Sequence, residues 1–407
     1  MNNNSFNKYL SVIFFIIIFF SCKKEEKNYD NSDKEYYELI SSEKVASYTA
    51  SQIKSIINTA APDIIGEIDF LYDVEIYLVQ YRTPNPHGKF VIASGVVLLP
   101  LGSGEEFPIL SFQHGTVLKK LDAPSTVSFG KESGLLFATQ GFITCLPDFL
   151  GLGSGEGIHP YLHSETEASA TIDLIRASKE ICGDCGIIPS EQLFLLGYSQ
   201  GGHATMATHK MIEERYSNEF TVTASAPMAG PYDISGIMYD LTIKKAPYNE
   251  PAYVPYVLYS YDFAYNIYQD ITKNFISPFD TILPLYFDEN QKYSLSELSS
   301  ILPDSKIPTG ILTGEAYLEL SDKTGKFYSA MQKNDLYDWK PLAPVYLFHC
   351  DCDSTVPNEN SEKAYNFFKK NGVFDVELIN PLPGGNHNTC ALPSIIQAMN
   401  RFKTLKL

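Results

Sequence analysis

Six residues, Gly197-Tyr198-Ser199-Gln200-Gly201-Gly202, constrain the fold of this chain more than any other stretch. They follow a short apolar run, Leu193-Phe194-Leu195-Leu196, and open an Ala/Met-rich helical pattern. A chain that passes from strand to helix through so sharp a turn holds its central serine out above the sheet edge. Small residues two places before and after the serine let the backbone turn without Cβ clashes. Gly197 and Gly201 meet that need. A bare Gly-x-Ser-x-Gly arises by chance in many proteins, so the flanking strand and helix patterns carry the information. They also demand an acid and a base further along the chain.

Both follow, in the order Ser, Asp, His. Pro344-Val345-Tyr346-Leu347-Phe348-His349 reads as a buried strand running into the acidic turn Cys350-Asp351-Cys352-Asp353-Ser354-Thr355-Val356-Pro357. Asp375-Val376-Glu377-Leu378-Ile379 makes a last strand, and Pro383-Gly384-Gly385-Asn386-His387-Asn388 is a loop that can bring a histidine back over the sheet. Neutral serine is a weak nucleophile, so an imidazole must take its proton and a carboxylate must orient that imidazole. His387 and Asp353 are the candidates, with Asp351 an alternative on the same side of the extended segment. The other histidines have structural readings: His203 and His209 on the helix after Ser199, His159 and His163 around a loop and helix start, His87 in a turn, and His114 in a loop.

The surrounding pattern is α/β. Tyr36 to Ala61 carries helical spacing in Leu39, Ile40, Val45, Ile53, Ile56 and Ile57, which predicts a helical lead-in. Alternation in Val74, Ile76 and Leu78, then Phe90-Val91-Ile92 and Gly95-Val96-Val97-Leu98-Leu99, predicts an antiparallel hairpin turning at Pro84-Asn85-Pro86-His87-Gly88. From Phe107 the strands become continuous apolar runs, Ile109-Leu110-Ser111-Phe112 and Phe142-Ile143-Thr144-Cys145-Leu146, separated by helical stretches. One helix begins near Ser164, where Ser164 and Glu167 have capping-box spacing. Apolar strands between helices imply a parallel sheet covered on both faces, with ligands outside the strands' carboxyl ends. About 110 residues between Pro227-Met228-Ala229 and Pro344 hold a crowd of aromatics, Tyr253, Tyr256, Tyr259, Tyr261, Phe263, Tyr265 and Tyr268. These read as the core of a helical insertion and as a cap that walls a pocket and excludes water.

At these motifs the sequence resembles the α/β-hydrolase superfamily and, within it, the secretory lipases and related bacterial esterases. The resemblance spans roughly residues 68–407 and rests on the serine turn, Asp353-Ser354-Thr355-Val356-Pro357, Gly385-Asn386-His387, Gln113-His114-Gly115-Thr116, and Pro147-Asp148-Phe149-Leu150-Gly151-Leu152-Gly153 before His159-Pro160-Tyr161-Leu162. It implies an α/β-hydrolase fold, a mostly parallel sheet with an antiparallel start and a helical cap insertion. It implies Ser199, Asp353 and His387 as a catalytic triad, Asp353 being favoured over Asp351 by its spacing to Val356-Pro357. It implies the backbone N–H groups of Gln200 and of Thr116, or a neighbour of Thr116, as oxyanion-hole donors. The expected activity is cleavage of carboxylic esters, small-molecule or lipid, through an acyl-enzyme on Ser199. Alternatives are a peptidase of the same fold, which an anionic cap pocket for a substrate ammonium would favour, and a non-catalytic surface binding protein, against which the complete Ser, Asp and His set speaks.

No cofactor or metal is expected. Ligands as close as His349-Cys350-Asp351-Cys352-Asp353 point to alternating faces of an extended strand, and Gly151-Leu152-Gly153-Ser154-Gly155 lacks the lysine of a phosphate loop. The net charge of -17 argues against nucleic acid as a partner.

The amino terminus predicts export. Lys8 precedes an apolar stretch from Leu10 to Phe20 ending in Ser21-Cys22, too short to span a bilayer of about 30 Å as a helix. It resembles a bacterial lipoprotein signal with lipid on Cys22, although Phe19 stands where that pattern prefers leucine; an ordinary secretory signal or a weak membrane anchor is the alternative. The expected arrangement is a signal and lipidation site at 1–22, a polar tether at 23–35, a hydrolase core at 36–230 and 341–407, and the cap at 231–340. The location implied is the bacterial cell envelope, with a membrane partner reached through Cys22. Seven cysteines minus Cys22 leave six that can pair in an oxidising compartment. Cys182 with Cys185 is one expected bridge. Cys390 with Cys350 or Cys352 is another, and would pin the acid loop to the base.

Overall fold

The computed structural model describes residues 36–407; the expected signal, Cys22 and the tether lie outside the described residues. In chain order the principal elements are β1 (Glu38–Tyr48), α1 (Ala50–Ala60), β2 (Asp73–Pro84), β3 (Phe90–Leu101), β4 (Glu106–Gln113), β5 (Ile143–Pro147), α2 (Ser164–Cys185), β6 (Ile188–Tyr198) and α3 (Gln200–Arg215). They continue with β7 (Val222–Met228), α4 (Tyr253–Tyr265), β8 (Val345–Phe348), α5 (Glu359–Lys370), β9 (Val376–Ile379) and α6 (His387–Leu405). Nine strands form one sheet in the order β1-β2-β3-β5-β4-β6-β7-β8-β9. The pairings β1 with β2, β2 with β3 and β3 with β5 are antiparallel. All later pairings are parallel. This is the mostly parallel sheet with an antiparallel start that the sequence predicts.

Alternate residues of one strand are buried on opposite faces. Leu193 and Leu195 of β6 join a core with Ala177 and Ile181 of α2, Ile212 of α3 and Phe368 of α5. Phe194 and Leu196 join a second core with Ile53 of α1 and Met399 and Phe402 of α6. A strand buried on both faces reads as an unbroken apolar run, which explains the sequence pattern. The hairpin also forms as predicted, with Asn85 N–H donating to Lys89 O at 2.8 Å and Gly88 at φ 79°.

The lead-in differs from expectation. Residues 38–48 are strand, and helix begins only at Ala50, where Thr49 and Gln52 form a capping box. β1 lies at the sheet edge with register shifts between Leu39 and Ser41 and between Lys44 and Ala46. Bulges of that kind break two-residue alternation, so Leu39, Ile40 and Val45 mimic helical spacing. The capping box expected at Ser164 is also absent. His163 caps α2, its ring accepting from Thr166 N–H, and Glu167 turns inward.

Between β7 and β8 the chain is a run of short helices around α4, with a core of its own that includes Tyr256, Tyr261, Leu258, Phe275, Leu298 and Phe327. Tyrosine hydroxyls fasten this layer to the loops beneath: Tyr256 donates to Val117 O at 3.0 Å, Tyr261 to Leu162 O at 3.1 Å and Tyr248 to Thr355 O at 2.7 Å. Large rings supply the buried area while their polar tips reach backbone acceptors. Among the described residues no helix is long and apolar enough to cross a membrane.

Candidate active site

Ser199 joins β6 to α3 with φ 62° and ψ -121°. A non-glycine residue held there costs about 1–3 kcal/mol, which the surroundings must over-determine. They do so through backbone contacts: Ser199 N–H donates to Met228 O of β7 at 2.9 Å, and its carbonyl accepts from Gly202 N–H at 2.9 Å and His203 N–H at 3.2 Å. The flanking glycines are there for close approach. A Cβ on Gly197 would lie 2.7 Å from Gln113 O, and one on Gly201 would lie 2.8 Å from His114 O. Strand β4 therefore runs against the turn with no room for a side chain.

Three of the sequence candidates meet at this edge. His387 Nε2 is 2.9 Å from Ser199 Oγ, and His387 Nδ1 is 2.6 Å from Asp353 Oδ2. With the carboxylate accepting from Nδ1–H, Nε2 is left to accept from the serine hydroxyl. His387 is the first residue of α6 rather than part of a free loop, capped by Asn386 and held by Tyr198 Oη, which donates to its carbonyl at 2.6 Å. Asp353 is itself fixed: Oδ1 accepts from Thr355 N–H at 3.0 Å and Val356 N–H at 2.9 Å. Burial pushes its pKa up, but hydrogen bonds from His349 and His387 prevail and hold the carboxyl well below the usual aspartate range. Asp351 is exposed and accepts from Gly384 N–H at 2.7 Å, away from His387. His349 and Cys350 are occupied too, His349 by Ser361 and Val356 and Cys350 by a disulfide to Cys390.

The loop after β4 passes over the serine. A Cβ on Gly115 would sit 3.9 Å from Ser199 Cβ, which brings the following residue, Thr116, to the same edge. Gln200 opens α3, where the first N–H groups of a helix have no intrahelical acceptor. His114 is a loop residue as expected, its ring nitrogens 2.6 Å from Gly115 O and 3.2 Å from Asp148 O.

Beside Ser199 opens a cleft whose lining includes Ile234, Met238, Val254, Val257, Leu258 and Leu312. Among the described residues, none that lines it carries a charge. Tyr239, Tyr248, Tyr253 and Phe327 also face it, whereas Tyr256, Tyr259 and Tyr261 pack inside the helical layer. The expected aromatic wall is thus largely aliphatic, because aromatic spacing along α4 mixes the pocket side with the interior.

One expected bridge is corrected: no disulfide joins Cys182 and Cys185. The helix α2 runs through both, so Cys182 faces the core while Cys185 Sγ meets Tyr77 Oη at 3.3 Å. Sequence reasoning also missed a buried polar group behind the serine. Gln200 Nε2 donates to Glu167 Oε1 at 2.9 Å, and Glu167 Oε2 is 2.6 Å from His203 Nδ1. The available signal was a glutamate inside a helix of small residues, Ser169, Ala170, Thr171, that reads as buried all round.

A sheet of this topology with a serine on a positive-φ strand-to-helix turn defines the α/β-hydrolase fold. The model of the family "Secretory lipase" matches residues 122–400, and the chain belongs to that family. It is a hydrolase of the lipase and esterase type. It is 28% identical to a Legionella pneumophila protein of known structure, with TM-score 0.80 over 90% of this chain and 98% of that one. A ligand-bound structure of the rice cell wall degrading esterase LipA from Xanthomonas oryzae is likewise 28% identical, with TM-score 0.77 over 90% of this chain and 96% of that one. Candida antarctica lipase A shares the fold at 16% identity, TM-score 0.64, over 89% and 82% of the two chains. Among curated proteins no match was found.

Proposed function

We propose that this protein is an exported serine hydrolase that cleaves carboxylic esters through an acyl-enzyme on Ser199. The observation that carries the reading is the continuous contact from Ser199 Oγ to His387 Nε2 and from His387 Nδ1 to Asp353, at 2.9 and 2.6 Å, beside an uncharged apolar cleft. His387 takes the serine proton as Oγ attacks the ester carbonyl and returns it to the leaving alkoxide. Asp353 orients the ring and stabilises its cation without taking the proton. Water then repeats the sequence and releases the acid. The oxyanion formed at each step is bound by the N–H groups of Thr116 and Gln200, each such donor contributing roughly 3 kcal/mol.

The acyl chain lies among Val254, Val257, Leu258 and their neighbours, with residues 231–340 as the cap and residues 36–230 and 341–407 as the core. A cleft without a carboxylate favours an ester over a peptide bearing a free ammonium, since a buried cation there would stand unpaired. Residues 1–22 direct export, Cys22 carries the lipid, and residues 23–35 tether the enzyme to the cell envelope.

The test is covalent labelling. A fluorophosphonate probe labels the wild type at Ser199, and Ser199→Ala, folded to the same Tm, neither labels nor hydrolyses p-nitrophenyl esters. Folded wild type that takes no label overturns the reading.

A further inference from the structure

The two proposed oxyanion donors come from different parts of the chain, and the sheet alone does not fix their separation. β4 and β6 pair as far as Gln113 and Gly197; β4 ends there while β6 stays paired with β7 through Tyr198, and Thr116 and Gln200 each lie three residues past that last β4–β6 pair. The orientation of the Gln200 N–H follows ψ of Ser199, a residue already in a strained conformation. Backbone contacts hold Ser199, and side chains from outside the sheet add to them at both Thr116 and Gln200.

One short segment reaches both. Tyr161 Oη is 3.0 Å from Thr116 Oγ1, and His159 Nε2 is 2.8 Å from Gln200 Nε2. The segment is itself clamped. His159 Nδ1 is 2.9 Å from Leu150 O, His159 N–H donates to Gln291 Oε1 at 3.2 Å, and Tyr161 stacks on Tyr256 at 4.4 Å and 8°. His159 is fully buried, and burial lowers its pKa to about 3, so the ring is neutral. Its one proton belongs on Nδ1, toward Leu150 O, which leaves Nε2 to accept from the Gln200 amide. The second hydrogen of that amide goes to Glu167 at 2.9 Å, and a flipped amide would set its oxygen against the Glu167 carboxylate. Gln200 Oε1 has no partner among the described residues. A buried acceptor left unpaired is a cost, tolerated here for what the two N–H groups of the same amide do.

We propose that His159-Pro160-Tyr161 is the positioning element of the oxyanion hole, with Tyr161 holding Thr116 and His159 holding Gln200. The inference rests on the serine-hydrolase reading and adds residues to it that act through Thr116 and Gln200, Tyr161 also lining the cleft. Their effect is confined to the state in which the carbonyl oxygen carries charge.

The test uses Tyr161→Phe, which removes one hydroxyl and keeps the stacked ring, and His159→Phe, which removes the acceptor and keeps an aromatic ring. For each, kcat and KM are measured on a p-nitrophenyl ester with active sites titrated. The Ki of an alkyl boronic acid, which adds to Ser199 as a tetrahedral anion, is measured alongside. Each variant is expected to lose at least tenfold in kcat with KM within threefold, and the boronate Ki rises in parallel with the loss of kcat. A purely structural role would lower Tm and leave kcat per titrated site and the boronate Ki unchanged. That result in Tyr161→Phe overturns the proposal even where His159→Phe does not fold. Ser199→Ala separates the two readings: if it is inert while Tyr161→Phe behaves as wild type, only the positioning role falls.

Discussion

Ser199 can occupy its strained turn because neighbouring residues carry no side chain. Gly201 is the sharpest case: a Cβ there would meet the backbone of Gln113 and His114, which cannot swing aside as a flexible side chain can. Gly201→Ala is therefore expected to cost more than about 3 kcal/mol by overpacking, read as loss of soluble folded protein or a large fall in urea midpoint. Gly183 is the contrast. It lies exposed in α2, and a methyl group added there would find no atom within 4 Å, so Gly183→Ala should stabilise by about 0.5–1 kcal/mol through helix propensity. Two glycines of one sequence thus give opposite signs. The Gly-x-Ser-x-Gly spacing made the first legible, while the freedom at Gly183 follows only from what surrounds it. At this scale the resemblance to the family pattern also favoured Asp353 over Asp351, by its spacing to Val356-Pro357. What holds Asp353 in place lies outside that spacing: Oδ1 is tied to Thr355 and Val356, and Oδ2 is shared between His387 at 2.6 Å and His349 at 3.2 Å.

The end of β8 and the start of α6 must stay together for Asp353 and His387 to meet, and the Cys350–Cys390 disulfide joins them across 40 residues of sequence. Closing a loop of that size in the unfolded chain is worth about 4 kcal/mol on the chain-entropy model, with measured values for native bridges of about 2–5 kcal/mol. Replacing both cysteines by alanine should lower stability by about 2–4 kcal/mol in urea denaturation, whereas Cys352→Ala, at an exposed free thiol, should change it by less than about 0.5 kcal/mol. Equal stability of the double variant and the wild type would show that the bridge constrains nothing. Elements with strong periodicity were legible: the hairpin, the parallel strands and the helices on either side of Ser199. Two were not, for identifiable reasons. β1 is a bulged edge strand whose register shifts erase alternation, and Glu167, placed by spacing in a capping box, instead turns into the interior to meet Gln200 and His203.

At the scale of the molecule, the described residues divide their apolar surface into three cores, one on each face of the sheet and one inside the helical layer over the strands' carboxyl ends. The cleft lies where that layer meets the sheet edge, and its aliphatic wall has a measurable consequence. Each methylene of an acyl chain buried there contributes about 0.8 kcal/mol, or about fourfold in kcat/KM, until the cleft is filled. A p-nitrophenyl ester series from acetate upward should rise by that step and then level off, and Leu258→Phe should move the plateau to shorter chains. A flat series would place the acyl group elsewhere. By itself the sequence determined the hydrolase fold, the serine turn and Asp353 and His387 as the candidates that follow it, because backbone turns and strand burial impose residue types at fixed spacings. Only the tertiary structure decided which cysteines pair, which tyrosines of α4 face the cleft, and that His159 and Tyr161 reach Gln200 and Thr116. Those contacts join residues remote in the chain through side-chain directions, and no local spacing encodes them.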